Sequence, residues 1–248
     1  MEVKTYSTLF LNSLEMISES YNVKYSKRAF SIYQKIGNDF WIASFLCDFF
    51  LVDGQLKITV TSQIKPYGFD EIQFSIIDPT KKHRITDALR VNASFAAGSL
   101  KIDSKIYYLP CGDPTDFADR VEGYVRDILD ELFERRTAFL TSATANDGGL
   151  LPYLMNHWQD IPLEAGMAYL FVKDYSSARQ CFELAEKKHI IWLKNIGRAG
   201  RYLHLIYIDY CKAMQSGVEW SDDLVVNGFP EADKGAVPPS GNSSSGNS

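Results

Sequence analysis

Residues 166–185 read GMAYLFVKDYSSARQCFELA, and the order of small and large side chains in that run decides the C-terminal half of the chain. Gly166 and Tyr169 recur at helical spacing, as do Ala178, Phe182 and Ala185, so each set lies on one face of a helix. Small side chains at Gly166 and Ala178 let two helix axes approach, and Phe182 fills the space beside them. The run predicts two packed helices.

Outward from it, residues Leu150 to Gln215 carry helical periodicity, with a stop at Ser216-Gly217. Within them Tyr202 to Cys211 is apolar almost all round, with His204 and Asp209 as polar exceptions and Lys212 just beyond, which predicts a helix covered on several sides. Upstream, Asp113-Pro114-Thr115-Asp116 is a helix start. Asp113 is placed to accept from free backbone amides, Pro114 stands where no donor is needed, and Asp116 suits the positive helix end. Phe117, Val121, Tyr124, Ile128 and Leu132 then form one apolar stripe, predicting a helix from Asp113 to Arg136. Asn146-Asp147-Gly148-Gly149 predicts a loop and a joint.

Before Pro110 the period is two. An amphipathic helix carrying Tyr6, Leu9, Phe10, Leu14 and Ile17 precedes strands at Arg28 to Ile36, Phe40 to Val52 and Gln55 to Ile64. Asp53-Gly54 predicts a tight hairpin turn, and Gly37-Asn38 a second. Phe40 to Leu46 is apolar on both faces and reads as the central strand. In the third strand Leu56, Ile58, Val60 and Ile64 alternate with Lys57, Thr59, Thr61 and Gln63, so one face of the sheet is wet. Phe69 to Ile77 fits helix or strand, and Asp78-Pro79 begins a loop that continues through Lys81-Lys82. Leu89, Val91, Ala93, Phe95 and Ala97 alternate again and predict a strand, turned at Gly98-Ser99 into a last strand from Leu100 to Leu109.

These readings predict an α+β fold with an N-terminal helix and a five-stranded antiparallel sheet in residues 1–111. A helical domain follows in 112–217, and a largely disordered tail in 218–248, where Pro238-Pro239-Ser240-Gly241 and the serines after it bury too little to order themselves.

With Gln159 as its first position, the stretch resembles a single tetratricopeptide-type hairpin of about 34 residues, roughly 159–192. Gly166, Tyr169, Tyr175, Ala178, Phe182 and Ala185 fall on the pattern, whereas Pro162 stands where tryptophan is usual and Ile190 where the closing proline is usual. The resemblance implies a groove at Asp160, Leu163, Met167, Leu170 and Phe171. Four of those five are apolar, which reads as burial against the Asp113 to Arg136 helix or the helix of Arg198 to Gln215. A second unit from Leu193, with Gly200 and Leu203 in place, is at best a capping half, because Lys212 takes its small position. One unit cannot stand alone.

The formal net charge of −5 over 248 residues argues against a nucleic-acid surface, which needs a basic stripe. No run approaches the length of a membrane span, and Met1 to Thr5 does not open a targeting segment, so a cytoplasmic protein is expected. Cys47, Cys111, Cys181 and Cys211 are too scattered for a zinc knuckle or a disulfide framework. No phosphate loop, nucleophile elbow or metal-binding histidine pair is present, and His83, His157, His189 and His204 are far apart in sequence. No catalytic residue, metal ligand or cofactor is assigned.

What remains is the outer side of the Asp113 to Arg136 helix. It carries Asp119, Glu122, Asp127, Asp130, Glu131 and Glu134, diluted by Arg120 and Arg126. A charged outer face is ordinarily just solvated, but clustered like charge also steers association. Asp119, Glu122, Asp127, Asp130 and Glu134 are therefore the candidate partner-binding residues. The expected function is a protein-binding module with a basic partner, similar in charge and layout to bacterial inhibitor or immunity proteins that neutralise basic toxins or nucleases. The alternatives are an enzyme with its site between sheet and helices, marked by a histidine or cysteine meeting a carboxylate, and a scaffold subunit of a larger assembly. The oligomeric state is open.

Overall fold

A computed structural model describes residues 3–80, 85–93, 98–190 and 201–230. Helix α1 (Val3–Ser18) leads through a 3₁₀ turn (Glu19–Tyr21) into strands β1 (Lys24–Ser26), β2 (Ser31–Ile36), β3 (Asp39–Val52) and β4 (Gln55–Pro66). Helices α2 (Phe69–Ile77) and α3 (Asp87–Ala93) precede β5 (Leu100–Pro110). Then come α4 (Pro114–Asp147), α5 (Leu150–Asn156), α6 (Pro162–Phe171), α7 (Tyr175–Lys187), α8 (Leu203–Ser216) and α9 (Asp222–Asn227). The fold is α+β.

The strands lie in the order β1-β2-β3-β4-β5, every neighbouring pair antiparallel. Asp53 and Gly54 both adopt positive φ, as a tight β3–β4 hairpin requires. In β4, Leu56, Ile58, Val60 and Ile64 are buried while Lys57, Thr59, Thr61 and Gln63 keep partial exposure, so the wet face is there. Toward the Phe40 end of β3 that face is roofed by α3, whose Val91 packs with Tyr33, Phe40 and Ile42. This explains why β3 begins apolar on both sides.

Five strands are present among the described residues, but they are not the five expected. The alternation from Leu89 is not a strand: Asp87 to Ala93 is α3, and Phe95 and Ala97 lie outside the described residues. The alternating pattern was met by a helix whose Arg90 reaches the acids Asp70 and Glu71 of α2, a tertiary contact that local periodicity does not encode. The fifth strand is instead the three-residue β1, too short to show a period. β5 therefore pairs with β4 across a connection holding two helices, not through a hairpin. Phe69–Ile77 is helical.

Helix α4 runs past Arg136 to Asp147 and stops where Gly148 adopts a left-handed conformation, returning its N–H to the carbonyls of Ala143 and Thr144. Asn146 and Asp147, expected in a loop, are its last turn. At the other end Asp113 caps the helix, accepting from Thr115 N at 2.8 Å. The inward stripe of α4, Phe117, Val121, Val125, Ile128, Leu129 and Leu132, packs on α1 and the sheet.

One apolar cluster continues from Tyr6 and Phe10 of α1 through the sheet and α4 to Met167, Phe182, Tyr207 and Val225. Contacts of α2 with α6, α8 and α9 tie the two ends of the chain together. Trp220 Nε1 donates to Ile76 O at 2.8 Å, and a Cβ added at Gly68 would lie 2.6 Å from Phe171 Cε2.

Helices α6 and α7 form an antiparallel-neighbour hairpin in which Gly166 faces the Phe182 ring; a Cβ there would sit 2.5 to 2.9 Å from three ring carbons. Leu163, Met167 and Leu170 are buried, and α7, α5 and α2 are the main neighbours of α6. Asp160 and Phe171 are exposed. Leu193, Gly200 and the stretch 231–248 lie outside the described residues. Among the described residues no helix is long and apolar enough to cross a membrane.

Gly166→Leu should overpack the α6–α7 contact and lower unfolding free energy by about 1–3 kcal/mol in a urea titration; an unchanged midpoint contradicts the contact. Asp174 caps α7 through Ser177 N at 3.0 Å and Ser177 Oγ at 2.7 Å, and these bonds hold its carboxyl below the usual range. A depressed folded value means the cap stabilises above the unfolded carboxyl range and fades as pH falls through the folded one. Asp174→Ala should therefore cost about 1 kcal/mol at neutral pH and less in acid.

Candidate partner-binding surface

The inward stripe of α4 fixes what the opposite side can do. Asp116, Asp119, Gly123, Asp127, Asp130 and Glu134 recur at three- and four-residue steps, all exposed, on a helix about 51 Å long. Gly123 interrupts the acids with no side chain and open space above it.

The sequence-predicted residues fare differently. Asp119, Asp127 and Glu134 have no ion-pair or hydrogen-bond partner among the described residues. Glu122 receives Arg126 Nε at 3.0 Å and Nη2 at 2.7 Å, an exposed pair within one helical turn. Asp130 accepts from Tyr21 Oη at 2.8 Å, which ties the 3₁₀ turn to α4. All five are exposed, spread along one side and not gathered at a point.

Glu131, counted with the acidic face in the sequence, belongs elsewhere. Its carboxylate accepts from Lys105 Nζ at 2.6 and 2.8 Å and from Tyr107 Oη at 2.9 Å, and it pairs with Arg135, which also meets Asp103. The bond from Lys105 leads the effects that hold Glu131 below the usual carboxylate range. This cluster pins α4 to β5.

A second polar cluster is interior. Lys65 at the end of β4 donates to Asp70 Oδ1 at 2.6 Å and to Arg90 O at 3.2 Å, and both side chains are fully buried. Arg90 stacks on Tyr67 with 3.7 Å to the ring centroid and pairs with Glu71. Burial drives Lys65 down and Asp70 up, against the attraction between them. The cluster fastens β4, α2 and α3; breaking one partner leaves a buried charge.

The groups an enzyme would use are dispersed. His157 stacks on Tyr153 with Nδ1 2.8 Å from Tyr153 O, His189 is exposed at positive φ, and His204 is buried with Nδ1 lacking a partner; His83 lies outside the described residues. All four cysteines are buried, and burial pushes the thiols of Cys181 and Cys211 up to about 12, far from a reactive thiolate. No histidine side chain is hydrogen-bonded to a carboxylate or a thiol among the described residues. No group of three metal-ligating side chains occurs among them either.

Arg136 and Asp39 also escaped the sequence reading. Arg136 continues the inward positions Ile128 and Leu132 at the next four-residue step, so an arginine in the apolar stripe was a visible signal. Asp39 carried none: its carboxyl is pushed up to about 6 by burial at the β2–β3 turn. Compared with known proteins, the chain matches no family model, no curated protein and no solved structure.

Because the folded carboxyl of Asp39 titrates above its unfolded value, the folded state binds that proton more tightly. The associated stability is present below the unfolded value of 3.8 and is lost as pH rises through about 6. Asp39→Asn should raise the thermal midpoint relative to wild type at pH 7.5 and have little effect at pH 3.5; equal effects at both contradict the burial.

Proposed function

We propose that this chain is a cytoplasmic protein-binding module that docks a basic protein along the outer side of α4, in the manner of an inhibitor or immunity protein. The observation that carries this reading is the separation on one helix of a fully committed apolar stripe from a stripe of exposed acids, three of which have no partner among the described residues. Monomer folding does not require those three charges. Their summed field would steer a basic partner, while Glu122 and Asp130, already engaged by Arg126 and Tyr21, sit between them along the stripe.

The α6–α7 hairpin is taken as a single tetratricopeptide-type unit used for packing, a reading supported by the close seat of Gly166 on Phe182. Its apolar positions are spent on α5, α7 and α2, so a peptide groove is not part of the proposal.

Asp119→Lys/Asp127→Lys tests the reading, since neither residue supports the fold. Affinity capture in dilute salt is expected to recover a basic protein with the wild-type chain, to lose it as ionic strength shortens the screening length to about 10 Å and below, and to lose it with the variant, while circular dichroism stays unchanged. A variant that retains the same bound protein overturns the proposal.

A further inference from the structure

Among the described residues, Arg136 is a half-buried cation without a counter-charge. Arg90, Arg126, Arg135, Arg179 and Arg201 each meet a carboxylate. Arg136 meets none among the described residues, and burial alone, unopposed by any neighbouring acid, lowers its proton affinity. Its guanidinium lies over Phe133 with 4.4 Å to the ring centroid and over Trp41 with 5.1 Å.

The two rings, with centroids 5.3 Å apart, lie on one side of the guanidinium and compensate part of its lost water, but its N–H donors point out through the edge of the plane. There the account is incomplete. Nη1 donates to Gln34 Oε1 at 2.7 Å. Gln34 is fixed for that role because its Nε2 donates to Asn22 O at 3.1 Å, which leaves the oxygen facing Arg136. Nε is sealed from solvent without an acceptor. Nη2 has no partner among the described residues, and it is not sealed as Nε is.

A cation that has lost part of its water and keeps an accessible, unpartnered edge donor can receive an oxyanion, because a charge-assisted bond recovers what desolvation cost. We propose that Arg136 is an anion-binding residue, taking a carboxylate or phosphate oxygen on Nη2 while Gln34 holds the guanidinium and Trp41 and Phe133 pack against one side of it. The residue lies on the inner side of α4, so this site is separate from the outer acidic stripe.

The direct probe is the Arg136 Nε–H resonance of the ¹⁵N-labelled full chain, titrated at matched ionic strength with inorganic phosphate, acetate or chloride. A saturable shift with phosphate or acetate and none with chloride is expected; a response to phosphate alone narrows the ligand to phosphate. No shift with either oxyanion, or an equal shift with chloride, overturns the proposal. Thermal midpoints give a second reading. Phosphate should raise that of wild type and of Lys105→Met, a lysine on β5 already paired to Glu131, and should not raise that of Arg136→Met. Should Arg136→Met fail to fold, the wild-type resonance still decides.

Discussion

Burial of the inward stripe of α4 is the contact on which everything else in this molecule depends. Phe117, Val121, Val125, Ile128, Leu129 and Leu132 cover the apolar face of the sheet together with α1, and Tyr6 closes the start of that layer with Phe117 at 5.1 Å and with its hydroxyl on Gly112 O at 2.5 Å. Each fully buried side chain of this kind is worth roughly 1.5–3 kcal/mol, so six in one row outweigh any single surface interaction. The rotation of α4 about its axis is set by that row and by the Glu131 cluster on β5. Once the rotation is set, Asp119, Asp127 and Glu134 have nowhere to go but outward.

The same contact passes the core on to the C-terminal helices. α4 hands over to α5 at Gly148, α5 reaches β4 and α6, and α6 seats Phe182 of α7 against Gly166. A second tie closes the circuit. Helix α2, held to the sheet by the buried Lys65–Asp70 pair, touches α6, α8 and α9. The helix backbone that carries the acidic stripe is held by this frame, and a preorganised backbone loses little freedom on binding.

Much of this was legible in the residues. The strong periods of α1, α4, β3 and β4 are present because each element buries one face or two, and the turn at Asp53-Gly54 follows from the only residues there that tolerate positive φ. The rest was hidden by tertiary effects. Alternation after Leu89 mimicked a strand because Arg90 and Val91 serve two different buried clusters from one short helix. β1 was too short for any period, and Glu131 looked like its exposed neighbours until Lys105 and Tyr107, far away in sequence, were brought beneath it. Of the candidate surface, the acids themselves were readable; which of them were already engaged was not, since Tyr21 reaches Asp130 only in the folded chain.

If one apolar cluster joins sheet and helices, the protein unfolds as a unit. Differential scanning calorimetry of the full chain tests this most directly. The account requires a single heat-absorption peak whose calorimetric and van't Hoff enthalpies agree; two resolved peaks, or a van't Hoff enthalpy near half the calorimetric value, would show that the helical half melts on its own and that α4 does not bind the two together.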